Sequence, residues 1–416
     1  MSHLWLPYRQ MKTAPPPLIV ERTDGVRLYL ADGRELIDGI ASWWTACHGY
    51  NHPHVRAGIA AQLERLPHVM LGGLAHAPAM TLAERLAELL PGDLDHVFFT
   101  ESGSVSVEVA MKMALQYRVN RGERGRTRFL SFRGAYHGDT FAAMSVCDPE
   151  EGMHRLFGPM LHEQLVVSLP NDQQTAREFD RAVAAHAREL TAVIVEPLVQ
   201  AAGGMKFHTA ATLERIAAAA RRHDLLLILD EIAVGFGRTG TLFACEQADI
   251  VPDIMTLSKA LTGGTMPLAA TVANARVYEA YLSDDAGKAL MHGPTYAGHA
   301  LACAAANASL DLFASEPRLE QVAAIEAQLT RELEACRGLS TVRDVRVKGA
   351  IGVVQLQREP KLEPLRARFV QHGVWIRPFG DVVYLMPPFV IGTDDLAVLT
   401  TAVRDVVAEA AAAGEL

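Results

Sequence analysis

Five short runs constrain this chain more than anything else in it: residues 96–100 (HVFFT), 128–132 (RFLSF), 192–196 (AVIVE), 225–230 (LLLILD) and 254–257 (IMTL). They are strand-length and apolar on both faces, and helical patterns lie between them, over about 104–119 and 210–223. A strand with two apolar faces must be covered on both sides, and parallel neighbours need a crossover of helix length. The pattern predicts an α/β fold of βαβ units around a mostly parallel sheet covered by helices.

At 416 residues, and roughly 150 residues per domain, the chain has room for two domains. Its character changes after about residue 310, where helical stretches surround strand candidates at 345–347, 351–355, 374–376 and 382–386. The start reads as strand, turn, strand: 26–30, the turn Asp32-Gly33, then 35–37. These observations divide the chain into an N-terminal arm over 1–45, a large domain over 46–312 and a smaller α+β domain over 313–416. The arm is expected to join the smaller domain. Hydrophobic residues at 50% exclude a disordered chain, and aromatics at 6% leave the core to aliphatic side chains.

A net charge of −9 argues against nucleic acid or an anionic membrane as partner. The densest basic cluster, Arg121, Arg124, Arg126 and Arg128, reads as a solvated loop. No run approaches 18 uncharged apolar residues, and the start has no basic segment followed by an apolar one, so a cytoplasmic protein is expected. The five cysteines are scattered, which suits reduced thiols better than disulfides or zinc. In the cluster His48, His52 and His54, an i,i+4 pair could chelate from a helix, but Pro53 interrupts it, and a polar turn is the expectation.

Ligands of open parallel sheets bind beyond the carboxyl ends of the strands, and three features fall there. Glu101-Ser102-Gly103-Ser104 opens a helix with small residues, so backbone N–H groups can meet an anion; an ordinary N-cap would look the same. Asp230-Glu231 ends an apolar strand, where a partly desolvated carboxylate wants a cationic partner; a structural ion pair is the plainer alternative. Lys259 lies between an apolar strand and Gly263-Gly264, and desolvation there would favour the neutral, nucleophilic amine; the alternative is a lysine reaching solvent. Together the three suit a ligand with a phosphate, a protonatable ring nitrogen and an aldehyde, which is pyridoxal 5'-phosphate. No Walker-type loop or strand-linked G-x-G-x-x-G competes with that reading.

The stretches from Asp230 to Gly240 (DEIAVGFGRTG) and Ser258 to Gly264 (SKALTGG) resemble the class III pyridoxal-phosphate aminotransferases. The resemblance spans nearly the whole chain. It includes Trp5-Leu6-Pro7-Tyr8, Ser42-Trp43-Trp44, Tyr136-His137-Gly138-Asp139-Thr140, Met291 to Tyr296, and the stretches around Arg377 and Tyr384. The paired tryptophans and the first of these are similar to the branch that aminates 8-amino-7-oxononanoate. One departure is Gly298-His299-Ala300, where the family pattern has Gly-Asn-Pro.

The resemblance implies a fold-type I dimer with active sites at the subunit interface. Its acceptor would be 8-amino-7-oxononanoate and its donor S-adenosylmethionine, in biotin biosynthesis. Lys259 would carry the cofactor and shuttle a proton, Asp230 would hold the ring nitrogen protonated, and Tyr136 would stack on the ring, supported by Asp139. Gly103 and Ser104 would cradle the phosphate, joined by Thr295 of the other subunit, with Glu196 close to the cofactor. Tyr8, Trp43, Trp44, Gly293 and Tyr384 would contact substrate, Arg377 would take the acceptor's carboxylate, and Arg238 is a further candidate for substrate contact. The nearest rival is a transaminase of the same class acting on ornithine- or putrescine-like amines. A member of the fold that binds the cofactor without turnover is disfavoured by Lys259, Asp230 and Tyr136 all being present.

Overall fold

The structure, a computed structural model, describes residues 3–150 and 153–416. Its centre is a seven-stranded sheet in the order Leu94–Thr100, Ala269–Asn274, Ile254–Leu257, Leu226–Asp230, Leu190–Val195, Arg128–Phe132, Leu165–Val167. From Ile254–Leu257 to Leu165–Val167 the neighbours are parallel. Ala269–Asn274 runs antiparallel to both of its neighbours. All five strands marked in the sequence are in this sheet, their ends shifted by a residue or two at most.

The strand Leu226–Asp230 shows why the sequence forces this arrangement. Leu227 and Leu229 belong to the main core, whereas Leu226 and Ile228 face a second core on the other side of the sheet. Each such side chain contributes about 1.5–3 kcal/mol on full burial, so neither face tolerates water. Helix Gly103–Asn120 supplies much of the second core through Val107, Ala110, Met111 and Ala114. Besides the short edge strand Leu165–Val167, the sequence concealed the antiparallel strand Ala269–Asn274. Half of it is alanine, and it is a strand because partners on both edges claim its backbone.

In the C-terminal third, Val342–Lys348, Ile351–Leu356 and Val382–Leu385 form an antiparallel sheet packed against helix Arg318–Leu333. The N-terminal strands Val20–Asp24, Arg27–Leu30 and Glu35–Asp38 form a meander, with Gly33 at φ +88° in the second turn. Its last strand pairs in parallel with Val374–Trp375, Ile37 opposite Val374. The boundary drawn at 312/313 falls inside a continuous helix, Ala300–Ser315; the break comes at Glu316-Pro317, before Arg318–Leu333 begins.

The polar clusters noted in the sequence have local partners. Arg121, Arg126 and Arg128 are ion-paired with Glu123, Asp224 and Glu189. The three histidines diverge: His48 is buried between Ser309 and Arg318, His52 caps helix Pro53–Arg65, and His54 meets Asp311. The five cysteines are buried and unlinked, and no helix among the described residues is long and apolar enough to cross a membrane.

Candidate active site

Five strands send their carboxyl ends to one edge of the large sheet, and each delivers residues to the same small cavity of about 160 Å³. Thr100 leads to Ser102, Gly103 and Ser104, and Phe132 to Tyr136, His137 and Gly138. Val195 leads to Glu196, and Leu257 to Ser258 and Lys259, with Asp230 the last residue of its own strand. Ser102 accepts from the Val105 N–H as an N-cap, while Gly103 and Ser104 begin the helix at the cavity wall. Gly138 closes over them at φ +130°, and a Cβ there would lie 2.7 Å from Ser104 Cα, so only glycine fits.

Asp230 is buried and well partnered. His137 Nδ1 lies 2.7 Å from its Oδ2, and the Ile232 N–H and the Thr256 hydroxyl donate to Oδ1. His137 Nε2 is buried without a partner among the described residues. Glu196 accepts from the N–H groups of Tyr136 and Ala201. Burial pushes its carboxyl up to about 7, with Asp230 adding to the shift and His137 opposing it. Lys259 Nζ stands 4.5 Å above the centre of the Trp44 ring. Burial brings its amine down to about 8, against the pull of Asp230, Glu196 and Asp139.

A larger cavity, about 1460 Å³, adjoins the small one and shares Trp44, Tyr136 and Lys259 with it. Tyr8, Trp43, Asp139, Arg377 and Tyr384 also line it. Asp139 takes both tyrosine hydroxyls, Tyr8 at 2.5 Å and Tyr136 at 2.9 Å. Burial and then Asp139 raise the Tyr8 phenol to about 12, so it remains a donor. The Arg377 guanidinium lies 4.8 Å from the centre of the Trp43 ring, and no carboxylate pairs with it among the described residues. Burial, and then Arg366, lower its affinity for its proton.

The two tryptophans reach the cavity through an unusual piece of backbone. Ala41, Ser42, Trp43 and Trp44 have φ values of +46°, +46°, +56° and +75°, a left-handed turn without a glycine. Such geometry costs about 1–2 kcal/mol per residue, roughly 4–8 in all. Asp38, fully buried, faces this turn. Its carboxylate accepts from the N–H groups of Ile40 (2.8 Å) and Ser42 (3.0 Å) and from the Tyr50 hydroxyl (2.6 Å). Burial pushes the Asp38 carboxyl up, with the Tyr50 hydroxyl and the backbone N–H groups opposing; three hydrogen bonds, at about 0.5–3 kcal/mol each, offset a large part of that strain.

Three residues lie elsewhere. Arg238, expected as a substrate contact, is 1% exposed and off the cavity walls; it donates to the carbonyls of Ala350 and Pro387 and stacks on Phe389. The arginine is drawn inward because backbone carbonyls and an aromatic face replace its water. Gly293 and Thr295 are exposed on a loop that lines neither cavity. The departure at Gly298-His299-Ala300 leaves that region ordered. Gly298, at φ +60°, accepts from His76, and His299 stacks on His68 before helix Ala300–Ser315. Residues not singled out for a role in the sequence include His137, Asp38, Tyr50 and His154, which stacks on Tyr136 near Asp139. His137 and Tyr50 stood inside stretches that resemble the family, at 136–140 and 48–53, and could have been found; Asp38 carries no local signal.

A partly buried lysine and a buried aspartate at adjacent strand ends, beside a glycine-lined helix start, match the site of a fold-type I pyridoxal-phosphate enzyme. The chain belongs to the class-III aminotransferase family, whose model matches residues 8–407. The adenosylmethionine-8-amino-7-oxononanoate aminotransferase of Corynebacterium glutamicum is 45% identical over 410 residues, 97% of this chain and 96% of the relative. The crystal structure of the enzyme of that name from Methanocaldococcus jannaschii superposes with a TM-score of 0.94 at 34% identity, covering 98% and 97% of the two chains. An amine transaminase from an uncultivated Pseudomonas species, in its PLP-bound form, gives 0.92 at 32% identity, covering 98% and 99%.

Proposed function

We infer that this chain is a pyridoxal-phosphate transaminase that moves an amino group from S-adenosylmethionine to 8-amino-7-oxononanoate, giving 7,8-diaminononanoate for biotin synthesis. The observation that carries the acceptor is Arg377, a half-buried guanidinium with no counter-ion among the described residues, on the wall of the cavity that Lys259 also lines. A carboxylate on a long chain would meet that fork while its ketone reaches the lysine.

The residues of the small cavity fit pyridoxal phosphate. Gly103, Ser104 and Gly138 leave space at the helix start for a phosphate, Asp230 presents a buried carboxylate, and Lys259 presents an amine. When bound, the cofactor supplies an aldehyde that condenses with amines and a ring that takes up the electron pair left on Cα when its proton is removed. Lys259, whose amine burial lowers to about 8, gives up its proton more readily than an exposed lysine and so can act as nucleophile and proton carrier at Nζ. Asp230, steadied by His137, would keep a ring N–H positive, and Tyr136 would cover the ring. Tyr8, Trp43, Trp44 and Tyr384 would exclude water from the substrate channel.

We assign the protein to the cytoplasm and to a homodimer. Thr295 and Gly293 are exposed and line neither of their own chain's two cavities, which suits a contribution to the second subunit's phosphate and substrate sites. Exposed Met70, Leu74, Met291 and Tyr296 would supply apolar contact area.

The test is spectroscopic. Purified protein loaded with cofactor is mixed with S-adenosylmethionine alone, and the cofactor absorption should change; 8-amino-7-oxononanoate should restore it, with diaminononanoate found by mass spectrometry. No response to this pair, together with rapid turnover of putrescine or ornithine, would transfer the protein to the diamine branch.

A further inference from the structure

We propose that Asp38 is a positioning residue for this reaction: its carboxylate, with Tyr50, holds residues 41–44 in the left-handed turn that sets Trp43 against Arg377 and Trp44 against Lys259. The proposal rests on Lys259 and Arg377 serving the transamination inferred above, and it adds what keeps their aromatic partners in place.

Nothing in the sequence Ala41-Ser42-Trp43-Trp44 prefers this backbone, because four consecutive residues with a Cβ occupy a region that glycine alone enters freely. The conformation therefore has to be held from outside. Asp38 does this from the end of the strand Glu35–Asp38, itself anchored on one side by Arg27–Leu30 and on the other by Val374–Trp375. One carboxylate oxygen receives the Ile40 N–H just before the turn; the other receives the Ser42 N–H inside it. The Tyr50 hydroxyl donates to that second oxygen and lies 2.6 Å from Ser42 Oγ, so the clamp grips both backbone and side chain.

The turn carries its consequence directly into the site. Trp43 touches Tyr8 edge-on at 6.0 Å and lies over Arg377, while Trp44 lies over Lys259 and meets Tyr384 edge-on at 6.2 Å. Two adjacent side chains thus reach the substrate-anchoring cation and the reacting amine. Asp38 lines neither cavity, so it touches no substrate and acts only through the turn.

The holoenzyme with Asp38→Asn should fold but lose at least about tenfold in kcat/KM, chiefly through a higher KM for the acceptor. An amide presents hydrogens to donors that need an acceptor, and the turn loosens. Adding Ser42→Gly should recover threefold or more, because glycine enters this conformation without a clamp; Ser42→Gly alone serves as the reference. Hydrogen exchange across residues 40–45, read by mass spectrometry without substrate, should accelerate tenfold or more in Asp38→Asn. If Asp38→Asn does not fold, Tyr50→Phe, which leaves both backbone bonds to the carboxylate, should raise the acceptor KM a few-fold and speed the same exchange. Unchanged KM and exchange in the variant that folds would overturn the proposal, as would a loss that Ser42→Gly leaves untouched. A mistaken acceptor is distinguishable: wild type would then fail to turn over while the exchange difference persists.

Discussion

Removing the Arg377 guanidinium tests the substrate assignment most sharply. The side chain lies half-buried under Trp43, without a counter-ion among the described residues. In the Arg377→Ala variant, therefore, no native ion pair is broken and no carboxylate is left stranded. The loss should be read almost wholly in substrate binding. A two-pronged guanidinium–carboxylate contact in a partly dry channel is worth roughly 2–3 kcal/mol, or about 30- to 150-fold. Arg377→Lys keeps the charge but not the fork, and should recover about half of that free energy. The two half-reactions are followed separately by stopped-flow absorption of the cofactor. The acceptor half should become strongly concentration-limited, with an apparent affinity down 30-fold or more. The donor carries its carboxylate close to its reacting carbon, and its half should change by less than about fivefold. Equal losses in both halves would mean that Arg377 serves both substrates. No loss in either would leave the arginine a packing partner of Trp43 and refute the reasoning.

Lys259→Ala should abolish turnover and covalent retention of cofactor after borohydride, checked by intact mass, while circular dichroism stays unchanged. The same lysine predicts a pH effect in cofactor-free protein. Between about 8 and 10.5 the unfolded chain still holds a proton that the folded state has released, so stability should rise with pH there, by up to about 3 kcal/mol relative to Lys259→Met; denaturant titrations at pH 7.5 and 10 would show it. Asp230→Asn should bind cofactor but lose at least about a hundredfold in kcat, and His137→Asn about ten- to a hundredfold with cofactor retained; steady-state rates beside cofactor titrations separate the two effects. Gly138→Ala, forced against Ser104 at φ +130°, should weaken cofactor retention tenfold or more, measured by dialysis and fluorescence.

The strands and their carboxyl ends were legible because two-faced apolar runs such as LLLIL admit few other solutions, and the fold follows from them. The strand Ala269–Asn274 was not legible, since its state is decided by neighbours at either edge. Arg238 shows the opposite failure. It sits in a conspicuous motif, yet tertiary packing buries it under Phe389 beside two carbonyls, which no local pattern announces. The left-handed turn was hidden for a related reason. A sequence reports the preferences of Ser-Trp-Trp, whereas the turn is imposed by Asp38 and Tyr50 from outside those residues.

The pairing of Ile37 with Val374 has a consequence for how such a chain comes to life. During synthesis the N-terminal meander leaves the ribosome with one edge open, and its partner strand follows on the order of half a minute later, at roughly 5–20 residues per second. Trp43 and Trp44 come from the early side of that gap, Arg377 and Tyr384 from the late side. The catalytic chamber is thus among the last parts of the molecule to be assembled. Until then an unpaired edge and two indoles are open to wrong partners, and nascent chains stalled before residue 374 should engage chaperones more than those stalled after residue 385.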